Sequence, residues 1–206
     1  MGSSWSRDID FHCTFGIWPF KKSLDITANG FRWCGELFPL KSVTRVRWGV
    51  DQKRGGIFPK RDYLFTFGTA EREFTIRTKE KDFYEHLTTR CWRAVGQRLL
   101  REMADGLAVG KRYSFGTFDV ADAGIYIRDK ALFGGSGEAF MAWSELQWGI
   151  FNGSLCFAPA SDNTKFLAGA SFLWTDNAQV LNVAMEILRR NEAAKISAAA
   201  RKEDII

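Results

Sequence analysis

The sequence has few of the residues on which most metalloproteins and acid–base enzymes depend. Its 206 residues include four cysteines that stand singly, with no C-x-x-C pair and no histidine at ligand spacing, so neither a zinc site nor a compact disulfide framework is indicated. We interpret them as reduced, buried thiols of a cytoplasmic protein. The cysteines and the only two histidines are Cys13, Cys34, Cys91, Cys156, His12 and His86.

Long apolar runs and catalytic motifs are also missing. No stretch approaches the roughly 18 apolar residues of a membrane-spanning helix, and Arg7, Asp8 and Asp10 stand where a secretory signal would be apolar. The segment Gly134–Glu138 resembles a nucleophile elbow only superficially, because glutamate stands where G-x-S-x-G requires glycine. The sequence therefore predicts a protein that is not an enzyme and uses no cofactor and no metal.

What the sequence does have is a large number of aromatic residues and a modest positive charge. It holds 8 Trp, 18 Phe and 4 Tyr, with a formal net charge of +5. Interleaved cations and aromatics occur in nucleic-acid stacking platforms. Most of these aromatics, however, fall on strand faces that alternation assigns to a core. Nucleic acid is therefore disfavoured as a partner.

The most informative feature of the sequence is an internal repeat. Ile26–Trp33 and Val120–Ile127 both read as an alternating strand, a polar turn ending in glycine and a second alternating strand, which predicts a hairpin whose glycine takes positive φ. Further on, Trp48-Gly49-Val50 is matched by Trp148-Gly149-Ile150. The recurrence of these segments in the same order predicts an internal duplication.

Each copy continues with strands of period two and ends in an amphipathic helix. Tyr63, Phe65 and Phe67 share one face in the first copy, and the second copy offers Leu155 and Phe157 and then Phe166, Ala168, Ala170 and Phe172. The predicted helices open near Asp82 and Asp176, each 52 positions after the turn glycine, Gly30 or Gly124. Their apolar stripes are Tyr84, Leu87, Cys91, Val95 and Leu99, and Val180, Ala184, Ile187 and Leu188.

These elements predict an α+β protein of two domains with antiparallel strands, six to seven in each. Domain 1 covers residues 1–105 and domain 2 covers 106–191, with the boundary in the glycine-flanked turn near 105–110. The Ala-rich residues 192–206 extend the second helix or fray from it.

A strand-rich half-barrel closed by one helix resembles the pleckstrin-homology (PH) superfold, and the duplication is similar to the tandem PH-like proteins of bacteria. Trp92 on the first closing helix matches the tryptophan that commonly plugs the open barrel end; the second helix has Met185 or Glu186 there. The basic phosphoinositide motif is incomplete in both copies: Lys21, Lys22 and Arg32 flank the first hairpin, but Cys34 follows. The resemblance thus implies a fold and no inositide specificity.

The strongest candidate contact loop is Gln52–Arg61. It places the cations Lys53, Arg54, Lys60 and Arg61 around the apolar tip Ile57-Phe58, where cations collect anionic headgroups and Phe58 inserts. The alternative is a solvated hairpin whose Phe58 folds back on the core. Arg45 and Arg47 alternate with Val46 and Trp48, so we expect them to face outward and enlarge this basic surface.

Two functions follow. The first is a non-catalytic scaffold that uses tandem PH-like domains for protein–protein interaction or self-association, since such sheets leave an edge and a groove beside the closing helix. The alternative is peripheral binding to anionic membrane lipids through the basic loop. The tryptophans expected to anchor a partner, or to pack one domain on the other, are Trp5, Trp18, Trp143 and Trp174.

Overall fold

A computed structural model describes residues 10–15, 21–53, 60–128 and 138–203. The chain is α+β, as predicted, and divides into unit 1, Met1–Leu99, and unit 2, Leu100–Ile206. Each unit holds a four-stranded and a three-stranded antiparallel sheet, and none of the four described sheets closes into a barrel. No helix among the described residues is long and apolar enough to cross a membrane.

Unit 1 is a run of seven strands followed by a helix. The first sheet has the order β1-β2-β3-β4 and the second has the order β5-β6-β7. A 3₁₀ turn, Leu40–Ser42, lies between the two sheets. The strands are β1 (Phe11–Phe15), β2 (Lys22–Thr27), β3 (Gly30–Trp33), β4 (Glu36–Pro39), β5 (Arg45–Lys53), β6 (Lys60–Gly68) and β7 (Glu73–Thr78). The helical backbone that follows comprises α1 (Lys81–Cys91), a π-helical turn (Trp92–Gly96) and α2 (Gln97–Ala108), so the division between the units falls inside α2.

Unit 2 repeats the same order of elements. A four-stranded sheet β11-β10-β9-β8, a 3₁₀ turn at Trp143–Glu145 and a three-stranded sheet β12-β13-β14 precede its helices. The strands are β8 (Tyr113–Ser114), β9 (Phe118–Ala121), β10 (Gly124–Ile127), β11 (Ala139–Ala142), β12 (Leu146–Phe151), β13 (Ser154–Pro159) and β14 (Ala168–Ser171). The helices are α3 (Ala178–Arg190) and α4 (Ile196–Lys202).

The core of each unit follows the predicted alternation. In unit 1 Phe65 and Phe67 are 1% exposed, and the α1 stripe residues Leu87 and Cys91 are fully buried. In unit 2 Phe157 is 1% exposed, and all four predicted residues of the α3 stripe are buried. Burying an aliphatic or phenyl side chain of this size stabilises a protein by about 1.5–3 kcal/mol, so these inward faces hold each pair of sheets against its helix.

Gly30 and Gly124 begin the second strand of each predicted hairpin, and the close approach of a neighbouring strand explains why both are glycine. The predicted positive φ is confirmed at Gly30, with φ +153°, and is wrong at Gly124, which is not at positive φ. A Cβ atom on Gly30 would lie 2.2 Å from the Phe38 carbonyl oxygen, and one on Gly124 would lie 2.1 Å from that of Met141. Glycine is required at both because the next strand passes too closely for a side chain.

Candidate functional site

The three-stranded sheets of the two units have matching registers, which allows their outer faces to be compared position by position. Trp48 pairs with Phe65 in unit 1, and Trp148 pairs with Phe157 in unit 2. One position further, Gly49 pairs with Leu64, and Gly149 pairs with Cys156. Since successive side chains point to opposite sides of a sheet, the glycines and their partners lie on the faces turned away from Phe65 and Phe157.

The outer face of the unit 1 sheet carries polar groups that bond to one another. The Arg47 guanidinium donates to both carboxylate oxygens of Glu73 at 2.9 Å. The hydroxyls of Thr66 and Thr75 lie 2.8 Å apart. Arg77 forms an ion pair with Asp62 at 3.9 Å. Asp62 and Thr66 on this face are buried, each 7% exposed.

The outer face of the unit 2 sheet instead lacks large side chains at its centre. Gly149, Cys156 and Gly169 are cross-strand partners and form one row across the three strands. A Cβ atom on Gly149 would have no heavy atom within 4 Å, so the space above it is open. The row forms the floor of two adjoining grooves of about 690 Å³ and about 420 Å³.

Large apolar side chains form the rim of these grooves. Phe151 and Phe166 line both grooves and are 69% and 63% exposed. Ile150 lines the larger groove and is 63% exposed. We predicted that Phe166 would share the face of Ala168 and Phe172, but it precedes β14, and its ring lies 3.2 Å from where a Cβ of Gly169 would be. Exposed apolar side chains that are contiguous in this way mark interaction sites in soluble proteins.

The loop between β13 and β14 is held in place beside the larger groove by Asp162. Its carboxylate accepts hydrogen bonds from the Thr164 hydroxyl at 2.6 Å and the Thr164 backbone N–H at 3.1 Å, and Lys165 lies 3.2 Å away. The Thr164 hydroxyl, followed by the backbone N–H and Lys165, keeps the pKa of Asp162 below its usual value. The loop therefore presents Phe166 on an ordered turn.

The described residues that line the grooves carry few ionisable groups. Among the described residues that line them, Lys165 and Cys156 have ionisable side chains. Burial raises the pKa of the Cys156 thiol, which keeps it protonated and a poor nucleophile at neutral pH. Among the described residues, no group of three or more His, Cys, Asp or Glu side chains is placed to hold a metal ion.

The structure places only some of the residues predicted for a basic site. Arg54 and Phe58, and the side chains of Lys53 and Lys60, lie outside the described residues. Arg61 is exposed. The side chain of Arg47 is 14% exposed and forms an ion pair with Glu73. Arg45 donates to the Arg72 carbonyl at 3.4 Å. The basic contact surface therefore stays a prediction.

Of the four tryptophans predicted to anchor a partner, the structure describes Trp143 and Trp174. Trp5 and Trp18 lie outside the described residues. Trp143 is 4% exposed and donates its indole N–H to the Asp122 carbonyl at 2.8 Å, so it belongs to the core of unit 2. Trp174 is 76% exposed and directly precedes Thr175, which lines the smaller groove.

Sequence reasoning missed the grooves themselves. The available signal was the pair Ile150-Phe151, where two large apolar residues in succession break the alternation of β12 just before the turn Asn152-Gly153. Comparison with protein-family models, with curated proteins and with solved structures finds no match to this chain.

Proposed function

We propose that this protein is a non-catalytic binding protein in which two PH-like units act as a scaffold and the outer sheet face of unit 2 contacts a partner protein. The observation that carries the proposal is the open row Gly149, Cys156 and Gly169, rimmed by the exposed Phe151 and Phe166. Aromatic side chains, phenylalanine among them, are enriched at protein–protein interfaces.

The PH-like assignment belongs to the same proposal. Support comes from the order of elements in each unit: a four-stranded sheet, a 3₁₀ turn, a three-stranded sheet and a helix whose apolar stripe is buried. This is the order of elements expected for a half-barrel closed by a helix. Trp92, expected to act as a plug, is half-buried and lies in the π-helical turn, where Gly96 leaves room for its ring.

The chemistry of the lining defines the partner segment. A charged side chain placed over Gly149 would lose water without gaining a counter-charge, because Lys165 is already paired with Asp162. An apolar segment has no charged group to desolvate, so it pays no such cost on entering the groove. We therefore expect the partner to contribute uncharged, apolar side chains.

Site-specific photo-crosslinking in cells of the source organism tests the proposal. A photoreactive amino acid replaces Asn163, an exposed residue that lines the larger groove, and in a matched control it replaces Glu71, which is exposed in the corresponding β6–β7 turn of unit 1. We expect a defined protein adduct from position 163 that is missing from position 71. The adduct should disappear when Gly149→Leu fills the groove.

Each other outcome contradicts the proposal in a distinct way. Equal adducts from positions 71 and 163 would mean that the groove is not specific. An adduct with lipid, together with sedimentation on anionic vesicles that is lost when Lys53, Arg54, Lys60 and Arg61 are changed to Glu, would establish the membrane alternative instead. No adduct from position 163 would leave the groove without a partner.

A further inference from the structure

In the turn after α3, Glu192 occupies a backbone conformation that favours glycine. The Glu192 N–H donates to the Arg189 carbonyl at 3.2 Å, and the Ala193 N–H donates to that of Leu188 at 3.2 Å. These two bonds define a Schellman motif, in which the residue after the C-cap takes the left-handed conformation that favours glycine. Glu192 has φ +47°, so a residue with a Cβ occupies this position at a cost.

The corresponding turn after α2 shows the ordinary solution. There the Gly110 N–H donates to the Leu107 carbonyl at 3.0 Å and the Lys111 N–H donates to that of Gly106 at 2.9 Å. Gly110 has φ +85°. The two turns have the same hydrogen bonds, and they differ in whether the left-handed residue is glycine.

The chain that follows Glu192 has the composition of a helix. Residues 192–203 contain no glycine or proline and include five alanines. Nothing in the sequence between α3 and α4 therefore prevents the two helices from joining, and helical backbone already runs from Lys81 to Ala108 in the matching position after β7. The left-handed Glu192 and the extended Lys195, which caps α4, make α4 fold back.

Contacts with the end of α3 and with the β9–β10 turn hold α4 in its folded-back position. At the end of α3, Glu203 accepts from the Arg190 guanidinium at 3.2 Å and from the Asn191 amide at 3.1 Å. The Asp122 carboxylate, in the β9–β10 turn, accepts from the Ser197 N–H and the Ser197 hydroxyl, both at 2.8 Å. The Asp122 carbonyl accepts from the Ile196 N–H at 3.1 Å. Ile196, Ala199 and Ala200 supply the buried apolar face. A seven-residue helix is not stable alone, so α4 depends on this docking site.

We propose that α4 is exchangeable between two copies of this chain. When residues 192–195 become helical, α3 and α4 join into one helix, and α4 docks at Asp122 of a second copy while the second copy's α4 docks in return. The contacts made are those already seen within one chain, so exchange needs no new docking surface and relieves the left-handed conformation at both turns. This self-association is independent of the groove on the unit 2 sheet.

The test is the oligomeric state of Glu192→Gly compared with Glu192→Ala, measured by light scattering over a series of concentrations. Glycine fits the left-handed turn and disfavours a continuous helix, whereas alanine keeps the misfit and favours the helix. We expect wild type and Glu192→Ala to form a dimer at high concentration. The association constant of the Glu192→Gly dimer should be lower by about fivefold for each copy that carries the change.

A complementation experiment distinguishes exchange from other dimers. Asp122→Ala has an intact α4 and a damaged docking site, and Ile196→Asp has an intact docking site and an α4 that cannot be buried. We expect each full-length variant to be monomeric and a mixture of the two to form a heterodimer. A wild-type chain that stays monomeric at every concentration, a dimer that Glu192→Gly leaves unchanged, or a mixture without heterodimer would each overturn the proposal.

Discussion

The three-stranded sheets of the two units share an interior and differ outside. Each pairs a tryptophan with a buried phenylalanine, Trp48 with Phe65 and Trp148 with Phe157. On the opposite face, unit 1 has Arg47 bonded to Glu73, whereas unit 2 has the open Gly149. The interior is set by the need to bury apolar area, which both units share. The outer faces differ: Asp62 and Thr66 of unit 1 are buried, whereas Phe151 and Phe166 of unit 2 are exposed.

The largest expected effect tests the shared interior. Phe65→Ala and Phe157→Ala should each destabilise the chain by about 3–5 kcal/mol, because each removes a phenyl ring that is 1% exposed and leaves a cavity. Chemical denaturation followed by tryptophan fluorescence measures both. If one of the two changes is nearly neutral, the two interiors are not equivalent.

The next largest expected effect is the difference in stability between alanine substitutions at Gly124 and at Gly149. Gly124→Ala should cost about 1–3 kcal/mol, because the new methyl group would lie 2.1 Å from the Met141 carbonyl oxygen. Gly149→Ala should stay within about 0.5 kcal/mol of wild type, since its Cβ meets open space. Thermal unfolding of the two variants gives the answer. A comparable loss in both would mean that the groove floor is filled in solution.

A smaller effect is expected on the polar face of unit 1. Glu73→Gln removes the carboxylate that accepts both bonds from Arg47, whose side chain is only 14% exposed. We expect a loss of about 1 kcal/mol that persists at moderate salt. Glu71→Gln, at an exposed position in the neighbouring turn, is the matched control and should be neutral. Equal effects of the two changes would argue against a specific Arg47–Glu73 contribution.

The smallest effect is a dependence on pH. Burial, opposed in part by a backbone hydrogen bond, raises the pKa of Cys13 on β1 from 9.0 to about 11. The folded chain therefore holds this proton more tightly than the unfolded chain, so its contribution is fully present below pH 9 and is lost as the pH rises towards about 11. Denaturation midpoints between pH 8 and 11 should fall less steeply for Cys13→Ala than for wild type. Parallel profiles would contradict the assignment.

The interior of both units could be predicted from the sequence because alternation and helical stripes report burial directly. Phe65, Phe157 and the α3 stripe lie where periodicity puts them. The exposed position of Phe166 could not be predicted, because it depends on the loop that Asp162 holds and on the missing side chain of Gly169. A floor of glycine and cysteine has no hydrophobic period, so a groove made from small residues leaves no pattern in the sequence.

The most direct test of the central claim is the binding of an apolar fluorescent dye to matched variants of the two outer faces. We predict one saturable site on the wild-type chain that Gly149→Leu and Phe151→Ser each abolish without lowering the melting temperature. Thr75→Leu, which places an apolar side chain on the corresponding face of unit 1, should leave that site unchanged. Dye binding that persists in Gly149→Leu, or is lost equally in Thr75→Leu, would contradict the assignment of an open apolar site to unit 2.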